Sequence, residues 1–160
     1  MSAELSKSEL GTLGETLVAN WLDSQNWRLL ERQWHCRWGE LDLILAQGPA
    51  GPGGQLAFVE VKTRSQGNWD AYGLMAITRS KQAKLWKTAQ LYLLQHPQWA
   101  EAPCRFDVAL VACQRRPGGT PTQPSQTSGR VHPAKQIPVD ENHYLLLQDY
   151  IEHAFDAPYR

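Results

Sequence analysis

The sequence predicts an α/β sandwich: a mixed β-sheet flanked by helices. Three observations carry this expectation. Two stretches place apolar residues at helical spacing, Leu10-Leu13-Leu17-Trp21 and Leu85-Ala89-Tyr92. Three apolar runs of strand length, Leu41–Ala46, Leu56–Arg64 and Arg105–Cys113, are bounded by turn residues. The order is helix, three strands, helix, strand, which suits a sheet covered on both faces. At 160 residues, 42% hydrophobic and 20% charged, residues 1–160 fit one globular domain with a sizeable core.

The first helix is expected from about Ser8 to Gln25. Ser6-Lys7-Ser8-Glu9 fits a capping box, with Ser6 as N-cap and Glu9 three positions inside. Glu15 falls at the edge of the apolar stripe, near Val18 and Leu22, and is flanked by Gly11 and Gly14. Glycine inside a helix costs about 1 kcal/mol relative to alanine. Two of them point to something packed closely against that face.

Trp27–Trp34 reads as a weak first strand and Leu41–Ala46 as a stronger second one. Gly48–Gly54, GPAGPGG, breaks the chain into a loop, and Leu56–Arg64 returns as the other arm of a hairpin. After the turn-rich SQGNWDAYG, a helix starts near Thr78 or Ser80 and ends at His96-Pro97. Leu85, Trp86, Ala89, Tyr92 and Leu93 form one side of it, and Lys81, Lys84 and Lys87 another. Arg105–Cys113 is a further strand, reached by a crossover that suits a βαβ unit. Residues 114–138, rich in Pro, Gly, Ser, Thr and Gln, read as a flexible insertion. The tail HYLLLQDYIEHAF reads as a short strand followed by a helical turn or two.

Formal net charge is zero, yet six basic residues stand against one acid between Lys62 and Lys87, and five acids against one arginine from Pro138 onward. The basic segment can meet a polyanion, or can be a solvated helix face balanced by the acidic tail. Three widely spaced cysteines with no CxxC pair argue against a disulfide framework and a zinc knuckle. The five histidines show no metal-binding spacing. No apolar run approaches a membrane span, and MSAELSKSELG has no apolar leader segment, so a cytoplasmic protein is expected.

The chemistry concentrates in the hairpin. If its loop is centred on Gly51, residue i pairs with residue 102 − i, and Asp42 stands opposite Glu60. Lys62, two residues on, shares that face. Two opposed carboxylates in a half-buried sheet repel each other and resist losing water. A divalent cation relieves both costs, and Mg²⁺ prefers such hard oxygen ligands together with substrate phosphate. A lysine beside it adds positive charge for a phosphate under attack. The alternative is a cross-strand salt-bridge cluster on a solvated face. Trp34, Trp38 and Trp69 fall near this hairpin. There an indole serves either to stack on an unpaired base or to pack at the core edge.

Five ordered motifs extend this reading. They are Gly11-Thr12-Leu13-Gly14-Glu15 in the first helix, Gly39-Glu40-Leu41-Asp42-Leu43-Ile44, Phe58-Val59-Glu60-Val61-Lys62-Thr63-Arg64, Lys81 in the next helix, and Arg105-Phe106-Asp107-Val108. Together they resemble the YraN family of small bacterial proteins, predicted nucleases of the PD-(D/E)XK, or restriction-endonuclease-like, superfamily. They are also similar to archaeal Holliday-junction resolvases. The resemblance covers about Ser8 to Ala112, and more loosely Tyr150–Phe155. It implies a restriction-endonuclease-like αβββαβ core and metal-dependent hydrolysis of DNA phosphodiester bonds, on branched or processed DNA.

By that resemblance Asp42 and Glu60 bind Mg²⁺ or Mn²⁺, with the Val61 carbonyl as a further ligand. Glu15 approaches the site through water, and Lys62 is the catalytic lysine. Glu40 belongs to the motif without an assigned role. Arg64, Arg79, Lys81 and Lys84 are the expected phosphate contacts. The resemblance also brings DNA as partner, a homodimer as the assembly that junction resolvases of this fold adopt, and repair or recombination proteins as neighbours. No membrane partner is expected. The rival class is a non-hydrolytic nucleic-acid-binding or adaptor protein that retains the fold. Leu41 in place of the usual isoleucine, the long Gly48–Gly54 loop and the 114–138 insertion depart from the family pattern without touching the acidic set.

Overall fold

A computed structural model describes residues 4–70, 73–117 and 133–156. Helix α1 (Lys7–Ser24) leads into strands β1 (Arg28–Cys36), β2 (Gly39–Gln47) and β3 (Gln55–Arg64), followed by helix α2 (Arg79–Gln95). Strands β4 (Cys104–Arg115), β5 (Gln136–Pro138) and β6 (His143–Phe155) complete the sheet. The order across it is β1-β2-β3-β4-β6-β5. Among the described strands only β3 and β4 run parallel, joined by the crossover through α2. The mixed α/β architecture is the one expected. Among the described residues, no helix is long and apolar enough to cross a membrane.

Strand alternation divides the core between the two faces. Ile44, Ala46, Leu56, Phe58, Phe106 and Val108 pack with Leu85, Ala89 and Tyr92 of α2. Leu43, Leu45, Ala57, Val59, Ala109 and Val111 pack with Leu17, Val18 and Leu22 of α1. Each such side chain is worth about 1.5–3 kcal/mol once buried. The helices are thereby held on opposite faces of one sheet.

The capping box of α1 forms as expected. The Glu9 amide donates to Ser6 Oγ at 3.2 Å, and the Ser6 amide donates to Glu9 Oε2 at 2.7 Å. Helix α2 is capped by Thr78, whose hydroxyl accepts from the Lys81 amide. Gly14 explains the close packing that the glycines signalled: a Cβ there would lie 2.2 Å from Thr63 Oγ1 of β3. Gly11 meets nothing within 4 Å.

The hairpin register is the one the loop centre implied. Leu43 pairs with Val59, Ile44 with Phe58 and Leu45 with Ala57. One expectation is overturned. The tail is a single 13-residue strand, β6, with no helical turn. Its Leu145 and Leu147 are buried on the α1 face while its backbone pairs with β4 along most of its length. That ladder satisfies the amides and carbonyls that a terminal helical turn would leave open. Within the expected insertion, Gln136–Pro138 forms the edge strand beside β6. Residues 118–132 of that segment lie outside the described residues.

Candidate metal centre and phosphate-handling surface

The site lies where β2 and β3 part. Their pairing ends at Leu43 and Val59. Beyond that point β2 continues against β1, with Leu41 beside Trp34, and β3 against β4, with Glu60 beside Val108. Asp42 sits at the fork, and its Oδ2 accepts the Val61 amide at 2.8 Å. This side-chain hydrogen bond ties the strands together at their point of divergence. It also fixes Val61 next to the carboxylate.

Three carboxylates meet here. Oxygens of Glu15, Glu40 and Asp42 all lie within 4.8 Å of one another. Glu15 reaches the fork from α1, held close to the sheet by the Gly14–Thr63 contact, and is only 7% exposed. Gln33 Nε2 donates to its Oε2 at 3.0 Å, and the Arg32 guanidinium stands 3.6 Å away. Gln33 itself has φ 49°, a left-handed conformation uncommon outside glycine. It falls between the Arg32–Leu43 and Trp34–Leu41 pairs, across from Asp42.

Glu60 adjoins this trio, close enough to Asp42 for a side-chain hydrogen bond between the two carboxyls. Its Oε1 takes two ammonium groups, Lys62 Nζ at 3.3 Å and Lys81 Nζ at 3.0 Å. Its charge also acts on Asp42 across the fork. Burial, and then the Glu60 charge, push the Asp42 carboxyl up to about 8. Burial raises Glu15 as well, opposed by Gln33 and Arg32. Burial lowers Lys62, and the neighbouring Lys81 lowers it further. For Lys81 burial works against the ammonium, but the hydrogen bond with Lys62 and the Glu60 carboxylate carry its pKa above the ordinary value.

A cavity of about 210 Å³ opens onto this group, lined by Trp38, Glu40, Asp42, Glu60, Lys81 and Lys84 and backed by Leu85 and Thr88 of α2. Lys84 is therefore at the site. Arg79 is exposed in the first turn of α2. Arg64 lies at the end of β3, stacked 5.3 Å from the Trp69 ring and donating to the Asn68 carbonyl at 2.9 Å. It does not line the cavity.

Asp107 is fully buried and has its own structural partners. Its carboxylate accepts from Arg105 Nε at 3.1 Å, Tyr150 Oη at 2.6 Å and the His153 amide at 3.1 Å. Three donors satisfy it at an irregularity in the β4–β6 ladder.

Sequence reading missed Gln33 and Arg32 and left Glu40 without a place. The run containing Gln33 reads as a weak strand, and nothing in its pattern signals a left-handed residue. The GELD spacing did contain Glu40, but a regular strand would not by itself bring it to Glu15.

Residues 14–111 match the model of a family described as "Uncharacterised protein family UPF0102". A UPF0102 protein of Acaryochloris marina is 48% identical, over 92% of this chain and 90% of that protein. One from a Nostoc species is 44% identical, over 96% of this chain and 98% of that one. A third, from Thermosynechococcus vestitus, is 54% identical over 66% of this chain and 82% of its own length. The chain belongs to the UPF0102 family.

Proposed function

We propose that this UPF0102 protein is a metal-dependent endonuclease that hydrolyses DNA phosphodiester bonds, in keeping with the restriction-endonuclease-like motifs it resembles. One observation carries the reading: Glu15, Glu40 and Asp42 converge at the strand fork, beside Glu60 with its two lysines. Burying several carboxylates together is costly unless a cation shares the site. The donors are all hard oxygens, which fits Mg²⁺ or Mn²⁺ and disfavours softer metals.

Asp42, Glu60 and the Val61 carbonyl would hold the ion, with Glu15 acting through water and Glu40 beside it. When bound, such an ion supplies Lewis-acid stabilisation of phosphoryl charge and a water of lowered pKa. The chain's own residues do the rest. Lys62 presents an ammonium whose proton is loosened by burial and by Lys81, suited to holding or passing a proton at Nζ. Lys81 and Lys84 place positive charge along the cavity wall, where phosphate oxygens of a DNA strand would lie. Leu85 and Thr88 of α2 form the back wall of the cavity.

The test is cleavage of linear duplex, single-stranded and four-way-junction DNA with Mg²⁺, with Mn²⁺ and with chelator. Metal-dependent cutting is expected on at least one substrate. It should fall by about a hundredfold or more in Asp42→Ala, Glu60→Ala and Lys62→Ala. Absence of metal-dependent cutting on every substrate would refute the nuclease reading and favour a nucleic-acid-binding adaptor that retains the fold.

A further inference from the structure

We infer that Trp38 is a stacking platform for an unpaired nucleobase at the mouth of the acidic cavity, so that the substrate is a DNA segment with unpaired bases next to the phosphate that is handled. This rests on the nuclease reading and narrows its substrate class.

Four observations converge. First, Cys36 pairs with Gly39, so β1 and β2 are joined by a two-residue turn, Arg37-Trp38, which carries the indole at its tip. Gly39 has φ 153°, and a Cβ there would press on Thr88 Oγ1 at 3.3 Å, so this tip lies tight against α2. Second, Trp38 is 42% exposed and is the single exposed tryptophan of the seven. Its neighbours are committed elsewhere. Trp34 packs edge-on against Tyr92 at 5.3 Å, and the Trp69 indole N–H donates to the Val111 carbonyl at 2.9 Å. Third, Trp38 lines the same cavity as Asp42 and Glu60. Fourth, two cations lie against its ring, the Arg37 guanidinium at 4.7 Å and the Lys87 ammonium at 4.6 Å from the centroid.

Those cations give the platform its ligand. Cation–π contacts at exposed sites are weak and exchangeable. A base is a flat, neutral π-surface attached through its sugar to a phosphate. As it slides onto the indole it releases a cation from the ring, and that cation is already within reach of the strand's backbone charge. Stacking is indifferent to base identity but needs an accessible base face. A continuous duplex hides its base faces in its own stack. A single strand, a flap or an opened junction arm offers one.

The experiment measures binding of the full-length protein, in chelator, to a fluorescent single-stranded oligonucleotide and to a blunt duplex of equal length. Trp38→Ala is expected to weaken single-strand binding about tenfold and duplex binding less than twofold, with Trp38→Phe retaining most of the single-strand affinity. Equal loss on both DNAs, or unchanged single-strand affinity, would overturn the inference. A second measurement avoids any folding defect of the variant: wild-type protein is titrated with single strands carrying one abasic site at successive positions. A position where the abasic site weakens binding about tenfold supports the platform, and a uniform response overturns it. Cleavage is scored separately. Cutting that ignores Trp38 leaves the nuclease reading and removes the platform. Trp38-dependent single-strand binding without cutting does the reverse.

Discussion

Replacing Asp42 with asparagine should stabilise the fold, and by an amount that depends on pH. Burial and Glu60 raise the Asp42 carboxyl from 3.8 to about 8. The folded protein therefore prefers the protonated carboxyl more than the unfolded chain does. The stability this contributes is fully present below pH 3.8 and is lost progressively as pH rises through about 8. At about 1.4 kcal/mol per pH unit, the roughly three units up to pH 7 correspond to a cost on the order of 4 kcal/mol. Asparagine carries no charge to desolvate. Its oxygen can accept the Val61 amide as Asp42 Oδ2 does, and its N–H₂ meets the carboxylates around it. In a 160-residue protein the gain corresponds to a midpoint about 10 °C higher at pH 7. The assay is thermal unfolding of wild type and Asp42→Asn in chelator from pH 3 to 9, plotted as the difference between them. The difference should be near zero at pH 3 and grow steadily to pH 8. A difference that is flat with pH, or that favours the wild type at pH 8, would refute the reasoning.

The other predictions concern the scaffold. Gly11→Ala should stabilise by about 0.5–1 kcal/mol, since nothing lies within 4 Å of its added Cβ and alanine is the better helix former. Gly14→Ala gains the same propensity but drives Cβ into Thr63 Oγ1, so it should be destabilising by about 1–3 kcal/mol, with Thr63→Ala restoring part of the loss. Urea midpoints compare all three. Tyr150→Phe removes one of the three donors to the buried Asp107 carboxylate and should cost about 1–3 kcal/mol by the same assay. It should leave the proposed metal-dependent DNA cleavage unchanged, because Tyr150 does not line the acidic cavity.

Much of the fold is legible in the sequence because its rules are local. The Ser6–Glu9 capping box, the apolar faces of the two helices and the alternating strands each need only a few neighbouring residues to be recognised. The hairpin register follows from one further assumption, a loop centred on Gly51, and Leu43–Val59 and Ile44–Phe58 pair accordingly. The paired glycines of α1 signal close packing, and Gly14 alone of the two meets it, against Thr63. The tail departs from the expected strand and helical turn because the two conformations compete closely in QDYIEHAF. Pairing with β4, a contact remote in sequence, settles that competition.

By itself, then, the sequence determined the order of elements as far as β4, the faces they bury and the presence of Asp42, Glu60 and Lys62 on one hairpin. The tertiary structure decided how these charges are grouped. The parting of β2 and β3 brings Glu15 and Glu40 to Asp42, while Glu60 stays beside Asp42 and also takes Lys62 and Lys81. The left-handed turn at Gln33 brings an amide to Glu15 from a strand whose pattern gave no sign of it. The physical reason is range. Periodicity and capping act over a few residues, whereas Coulomb interaction and desolvation depend on distances among α1, β2, β3 and α2 that only the packed sheet sets.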